Sequence, residues 1–424
     1  MCIISFVYSV MSSSSSSLSA LPVELIHHLF KYLDIGTILF SFRYVCKQFY
    51  NIVETFDQYQ VDMRLIAKSD FDRLCSILCP EKICSIILAN DMHTPYQIPT
   101  FLSRFSFDQF VRLRSLYLIK IEENNLFTIL MHLSICSLQS LTIDCTAWDM
   151  FSYTIRVLLA STIAKSNLEK LDLNIAYRDL DMISWPPLPT TLKYLRLERC
   201  TFQEYCMILR HNIHLRKIQL TECLMYNSDD TIYQPTDLIA PLELTSLSFG
   251  ACFMRMKELL IFLSCTPNLH ELELIIWTDF SDSVINGNKW EDFLSNKLSS
   301  LKKFRFFFDD LTQINHDAVN IQNYLQSFRT PFWLENKHWY VTCDYVKTLS
   351  VVRLYTLPIR NALFTYYTNS KTISDSTWNM MDNPREFQHR VQELNLNLND
   401  LFEPDYDMQV RIDGLRISEF ELLF

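Results

Sequence analysis

Cysteine and histidine are the residue types here that could do chemistry, and their spacing limits what they could do. Cys75, Cys79 and Cys84 lie within FDRLCSILCPEKIC, four and five residues apart. Zinc sites usually open on C-x-x-C and need a second ligand pair at a suitable distance, and none follows. A buried structural role is the expectation for these three thiols. His27 and His28 are adjacent on a helix and cannot share one face, so a solvated or interface role is expected. His211 and His214 stand three apart without a carboxylate close by in sequence, which does not make a metal site. No G-x-S-x-G, H-E-x-x-H, G-x-x-x-x-G-K-[ST] or dinucleotide-binding glycine pattern occurs. These residues indicate a non-enzyme: no catalytic residue, no metal and no cofactor.

Composition narrows the classes further. Of 424 residues only 4 are glycine, which argues against phosphate-cradling loops. The net charge of −10 is spread along the chain without a basic stripe, so no nucleic-acid partner is expected. The 13 cysteines are odd in number and scattered, which suits reduced thiols in the cytoplasm or nucleus rather than a disulfide scaffold. MCIISFVYSV at the start lacks a positive flank and is too short to span a bilayer, and no longer apolar window follows, so no membrane association is expected. Met11, just before a serine run, is an alternative start. Residues 1–18 are expected to be disordered.

Two kinds of element emerge from the hydrophobic periodicity. Within LPVELIHHLFKYLD, Leu25, Ile26, Leu29, Phe30 and Leu33 recur at helical spacing behind Pro22, which fits a first turn. The pattern restarts after Gly36 with Ile38, Leu39, Phe42, Val45, Phe49 and Ile52. About 35 residues cannot make a stable core alone, yet this stretch is rich in large apolar side chains. Part of it must therefore face another surface. Residues 57–110 read as a helical linker or first irregular repeats.

Beyond them one pattern repeats: LRSLYL at 113, LQSLTI at 138, LEKLDL at 168, LKYLRL at 192, LRKIQL at 215, LTSLSF at 244, LHELEL at 269 and LKKFRF at 301. The starts lie 25, 30, 24, 23, 29, 25 and 32 residues apart. Each x-L-x-L predicts a short strand with two apolar residues inward and one residue facing out between them. FTILMHLS, EYCMILRH, MKELLIFLSC and WEDFLSNK supply intervening helices. The outward positions Tyr117, Thr142, Asp172, Arg196, Gln219, Ser248, Glu273 and Arg305 are mixed in charge and suit a protein surface, although each alone could simply be solvated. From 332 the chain turns aromatic and β-branched: FWLENKHWYVTCDY and VVRLYTLPI read as a terminal hairpin, with further strands in VQELNLNL and LRISEFELLF. TNSKTISDSTWNMMDNPREF reads as a polar loop or insertion.

The repeats resemble the leucine-rich repeat family of the cysteine-containing type. Cys200, Cys223 and Cys252 fall eight residues after the first leucine of their repeats, where that family places Cys or Asn, and Cys145 falls one early. Residues 21–52 resemble an F-box, through Leu21-Pro22, Glu24-Leu25, Leu29-Phe30, Tyr32-Leu33-Asp34, Val45-Cys46-Lys47 and Phe49. Phe49-Tyr50 stands where tryptophan is common, and Gly36-Thr37 replaces the usual acidic pair. The resemblance implies an α/β chain: a short all-α F-box bundle at 19–56, a leucine-rich-repeat horseshoe solenoid at 111–331 and a β-rich C-terminal cap at 332–424. It implies a substrate-recognition subunit of an SCF-type ubiquitin ligase. A Skp-type adaptor, and through it a cullin–RING ligase, would be held by Leu21, Pro22, Leu25, Ile26, Leu29, Leu33, Val45 and Phe49. An unknown protein target would meet Tyr117, Thr142, Asp172, Arg196, Gln219, Glu273 and Arg305. The alternative is a repeat scaffold with no ubiquitin-ligase role, whose opening helices only cap the array.

Overall fold

The structure, a computed structural model, describes residues 18, 21–90, 95–133, 138–145, 152–175, 188–224, 243–252, 256–278, 285–310, 321–347, 351–357, 364–367, 372–377, 393–397 and 409–413. The expectations for the N-terminal apolar and serine runs and for LRISEFELLF lie outside the described residues. Two units are distinguished, Met1–Leu192 and Lys193–Phe424.

Unit 1 begins with helices. Pro22 lies at the entry of α1 (Val23–Phe30), where its carbonyl accepts from Leu25 N at 3.1 Å and Ile26 N at 3.3 Å. Pro22 is thus the cap residue rather than part of the first turn. Asp34 starts the next element, accepting from Thr37 N at 2.8 Å and Thr37 Oγ1 at 2.5 Å. A wide π-type turn, Thr37–Phe42, runs into α2 (Arg43–Val45), and α3 (Lys47–Thr55) follows. Their core is aromatic: Phe30 meets Phe42 and Phe56 edge-on at 5.5 and 5.4 Å, and Phe42 meets Phe49 at 5.7 Å.

Strands and helices then alternate: β1 (Tyr59–Asp62), α4 (Lys68–Ile77), β2 (Ile83–Ala89), α5 (Gln97–Leu102), β3 (Ser115–Ile119), α6 (Glu123–His132), β4 (Ser140–Cys145), α7 (Tyr153–Lys165) and β5 (Lys170–Ile175). The five strands pair in parallel, in chain order. Leu116, Leu141 and Leu171 are register partners, as are Leu118, Ile143 and Leu173, and all six are buried. A second ladder runs along the strand starts. The Arg114 carbonyl accepts from Gln139 N and Ser140 N at 2.8 Å each, and the Gln139 carbonyl from Glu169 N at 2.8 Å and Lys170 N at 3.0 Å. Residues 57–110, expected as a helical linker or first irregular repeats, hold two strands of the sheet.

Unit 2 continues the same logic with β6 (Tyr194–Thr201), α8 (Phe202–His211), β7 (Lys217–Leu224), β8 (Ser246–Cys252), α9 (Met256–Ser264), β9 (Glu271–Thr278), α10 (Gly287–Lys297) and β10 (Lys303–Asp310), the strands again parallel in chain order. A capping box starts α8: Glu204 N donates to Thr201 Oγ1 at 3.3 Å and Thr201 N to Glu204 Oε2 at 2.7 Å. After α11 (Ile321–Gln326) the direction reverses. β11 (Val341–Val346) and β12 (Val351–Thr356) form an antiparallel hairpin, β12 pairing antiparallel with β10. FWLEN is not part of it; Phe332–Asn336 is a helical turn, because Phe332 and Trp333 are buried against aromatic neighbours. β13 is Phe364–Tyr367. The polar stretch expected as a loop contributes β14 (Thr372–Ser376), which pairs with β11. β15 (Glu393–Asn397) and β16 (Gln409–Asp413) form a separate sheet with β13.

In unit 2 the register slips between Phe249 and Cys252, where β8 pairs with β9. Gly250 in this bulge lies so close to the Thr221 carbonyl oxygen that an added Cβ would overlap it. Gly250→Ala should therefore cost about 1–3 kcal/mol, read as a lowered urea midpoint of the intact chain.

Candidate functional site

In the helical module two apolar stripes diverge. Ile26 and Phe30, four apart on α1, are turned inward with Phe49, Ile52 and Val53 of α3. Leu21, Leu25 and Leu29, also four apart, form the other stripe; Leu25 is 51% exposed, and Leu21, Leu29 and Leu33 are half-buried. Tyr32, Tyr44 and Val45 are 60%, 67% and 65% exposed, and Pro22 is also open. Of the residues expected to meet an adaptor, Ile26 and Phe49 are 1% and 6% exposed, so they hold the module together instead. Val23, Tyr44 and Tyr50 on the same helices, and Tyr32 in the turn after α1, are absent from that expectation and are exposed large side chains. Exposed apolar groups gathered in one small module are the usual mark of an interaction surface.

The module is anchored to the strands that follow it. Tyr59 donates its hydroxyl to the Val53 carbonyl at 2.8 Å and packs edge-on against Phe56 at 4.9 Å. Lys82 Nζ donates to the Glu54 carbonyl at 2.7 Å, and Arg43 pairs with Glu54 at 2.6 Å. The Arg73 guanidinium lies 4.0 Å above the Phe40 ring. Between them remains a pocket of about 60 Å³, lined by Ile35, Leu39, Arg43, Glu54, Tyr59 and Cys79 among others. That volume holds a few waters and no larger ligand.

His27 is not simply solvated. Its Nε2 lies 3.1 Å from the Ile52 carbonyl, and its ring is 5.2 Å from that of Phe56, so it bridges α1 and α3. His214, read from sequence as lacking a carboxylate, sits 3.1 Å from Glu243, brought in from 29 positions away and shared with Arg216 at 3.2 Å. Hydrogen bonds from His214 and Arg216 hold the Glu243 carboxyl below its ordinary range. Burial pushes the Cys75 thiol up to about 11, and those of Cys206, Cys265 and Cys343 to about 12, 11 and 12. Such thiols stay protonated at neutral pH and are poor nucleophiles. Among the described residues no group of three His, Cys, Asp or Glu side chains is placed to hold a metal, and no helix is long and apolar enough to cross a membrane.

The outward strand residues form rows. In unit 1, Tyr117, Thr142 and Asp172 are successive register partners; in unit 2, Arg196, Gln219, Ser248, Glu273 and Arg305 are. The rows are less open than expected. Thr142 and Asp172 are buried, being short side chains on closely spaced strands, and the others are half-buried. Arg305 Nη2 reaches Glu273 Oε2 at 3.3 Å across the row.

The residues at 18–60 match the F-box domain family. Residues 18–60 are an F-box domain. The matched stretch takes in the start of β1. No curated protein matches the chain. Among solved structures, the leucine-rich repeat-containing protein LegL7 from Legionella pneumophila is similar at 14% identity, covering 64% of this chain and 97% of that one, with a TM-score of 0.34. F-box domains bind Skp1-type adaptors in cullin–RING ligases, and F-box proteins are typically non-catalytic substrate receptors.

Proposed function

We propose that this chain is the substrate-recognition subunit of an SCF-type ubiquitin ligase, binding a Skp-type adaptor through the F-box and a protein target through the strand array. One observation carries it: the F-box closes its own core with Ile26, Phe30, Phe49, Ile52 and Val53, yet leaves Leu25, Tyr32, Tyr44 and Val45 exposed. The array is of the leucine-rich-repeat kind, stacked as a solenoid. Its Cys200 is buried at the family's Cys/Asn position, and the backbone pairs it with Cys223.

The chain's part in the reaction is proximity. Holding target and adaptor on one body raises the target's effective concentration beside the ubiquitin-loaded enzyme. Anchors such as Tyr59 to Val53 and Lys82 to Glu54 would hold the F-box against the first strands of unit 1. Cytoplasm or nucleus is the compartment this role requires. The same anchors favour one competing reading, in which the helices only cap the array. Purified full-length chain incubated with a Skp-type adaptor decides between them: a stable complex on gel filtration is expected, and its absence leaves the scaffold reading.

A further inference from the structure

The strand starts of unit 2 carry more positive charge than the outward row of the same strands. The second and third residues of each repeat segment are Lys193-Tyr194, Arg216-Lys217, Thr245-Ser246, His270-Glu271 and Lys302-Lys303. Backbone hydrogen bonds set them in one line. The carbonyl of Lys193 accepts from Arg216 N and Lys217 N at 2.9 and 3.1 Å, that of Arg216 from Thr245 N and Ser246 N at 3.0 Å each, that of Thr245 from His270 N and Glu271 N at 2.8 and 2.9 Å, and that of His270 from Lys302 N and Lys303 N at 2.9 Å each. Five Lys or Arg and one Glu thus occupy a strip in a chain whose net charge is −10. Lys193, Arg216, Lys217, Lys302 and Lys303 are all exposed.

Carboxylates facing the strip do not cancel it. Glu271 pairs with Lys303 at 2.5 Å and is held below its ordinary range chiefly by that bond, with Arg305 and Lys217 adding to it. It is one carboxylate among three cations. Glu243 is shared by Arg216 and His214, and Glu273 is paired with Arg305. Lys217 also lies 5.7 Å above the Tyr194 ring, while Ser246, Ser248 and Gln219 offer uncharged hydrogen-bonding groups beside the cations.

We infer that this strip docks an extended acidic segment of a partner protein, an inference that rests on reading the array as the target-binding surface. Charge complementarity names the occupant. Five rungs spaced ~4.8 Å apart span ~19 Å, the length of about six extended residues. Three carboxylates among the cations, and a single aromatic ring, disfavour a nucleic-acid backbone, which requires a continuous basic track and stacking platforms. Alternating acidic and polar side chains fit both the cations and the serines.

Full-length chain titrated by fluorescence anisotropy with labelled hexaglutamate, hexalysine and oligothymidine tests it. Hexaglutamate should bind with an affinity that falls as salt rises, hexalysine should not bind, and oligothymidine should bind more weakly. Lys217→Glu with Lys303→Glu should weaken hexaglutamate roughly tenfold or more, whereas Lys217→Arg with Lys303→Arg should change it less than about twofold. Lys302→Glu, at an exposed side chain, should weaken it roughly threefold and guards against misfolding of the double variant. Equal binding by the parent and the Glu variants overturns the inference. Tighter binding of oligothymidine than hexaglutamate overturns it in favour of a nucleic acid. Adaptor capture by the same samples separates the two readings: capture without hexaglutamate binding sinks this inference alone, and hexaglutamate binding without capture sinks only the ligase role.

Discussion

Aspartate at both Leu25 and Val45 should weaken capture of a Skp-type adaptor about 100-fold or more, with thermal unfolding of the full-length chain unchanged to within about 2 °C. The two halves of this result have different causes. Both side chains are exposed in the free chain, so replacing them removes little buried area, and surface changes of this kind usually stay within about 0.5 kcal/mol. On a partner they would be desolvated. An apolar anchor truncated at an interface centre costs about 2 kcal/mol or more, and a buried unpaired carboxylate adds to that. Two such losses readily exceed the ~2.7 kcal/mol that corresponds to 100-fold. Ile26→Ala provides the contrast: it should also abolish capture, but by opening the module's core at about 2–5 kcal/mol, with a visible drop in the melt. Undiminished capture by the Leu25/Val45 variant would sink the proposed adaptor face.

Sequence revealed the array because a strand with one buried side shows itself in the spacing of its apolar residues. Every leucine-type position in the eight L-x-x-L-x-L segments is buried. It concealed what spacing alone does not distinguish. Ile83-x-x-Ile86-x-Leu88 has the same form and the same burial as the eight, but its isoleucines hide it from a pattern keyed on leucine. α7, YTIRVLLASTIAK, is apolar on several sides and shows no stripe to announce a helix. On α1, Leu25 and Ile26 both belong to i, i+4 apolar series, so periodicity cannot say which series faces inward; the answer comes from the Phe42, Phe49 and Phe56 rings. The cationic strip was present as the second and third letters of each repeat. Repeats of unequal length obscure it until the backbone ladder places Lys217 and Lys303 in one row.

Trp333→Ala should destabilise unit 2 by about 3–5 kcal/mol, the upper range for a single core substitution. Parallel strands stacked one on another bury each strand's apolar side chains under the next repeat, so the last strand needs something different above it. β10 presents Phe304 and Phe306 inward, and Trp333 covers them at centroid distances of 6.1 and 6.4 Å. The same indole meets Phe328 at 4.8 Å, Phe332 at 5.7 Å and Trp339 at 6.0 Å, so one fully buried ring joins five others. Alanine would leave a cavity lined by aromatic groups that cannot collapse onto it, because β12 holds β10 from its far edge. Phenylalanine tests whether shape or polarity matters. The Trp333 Nε1 is buried without a hydrogen-bond partner among the described residues, so Trp333→Phe removes an unsatisfied donor along with some volume and should cost less than about 1.5 kcal/mol. Urea unfolding followed by near-ultraviolet circular dichroism would rank the variants, and an alanine variant with the parent's midpoint would show that the hairpin strands, rather than this ring, close the array.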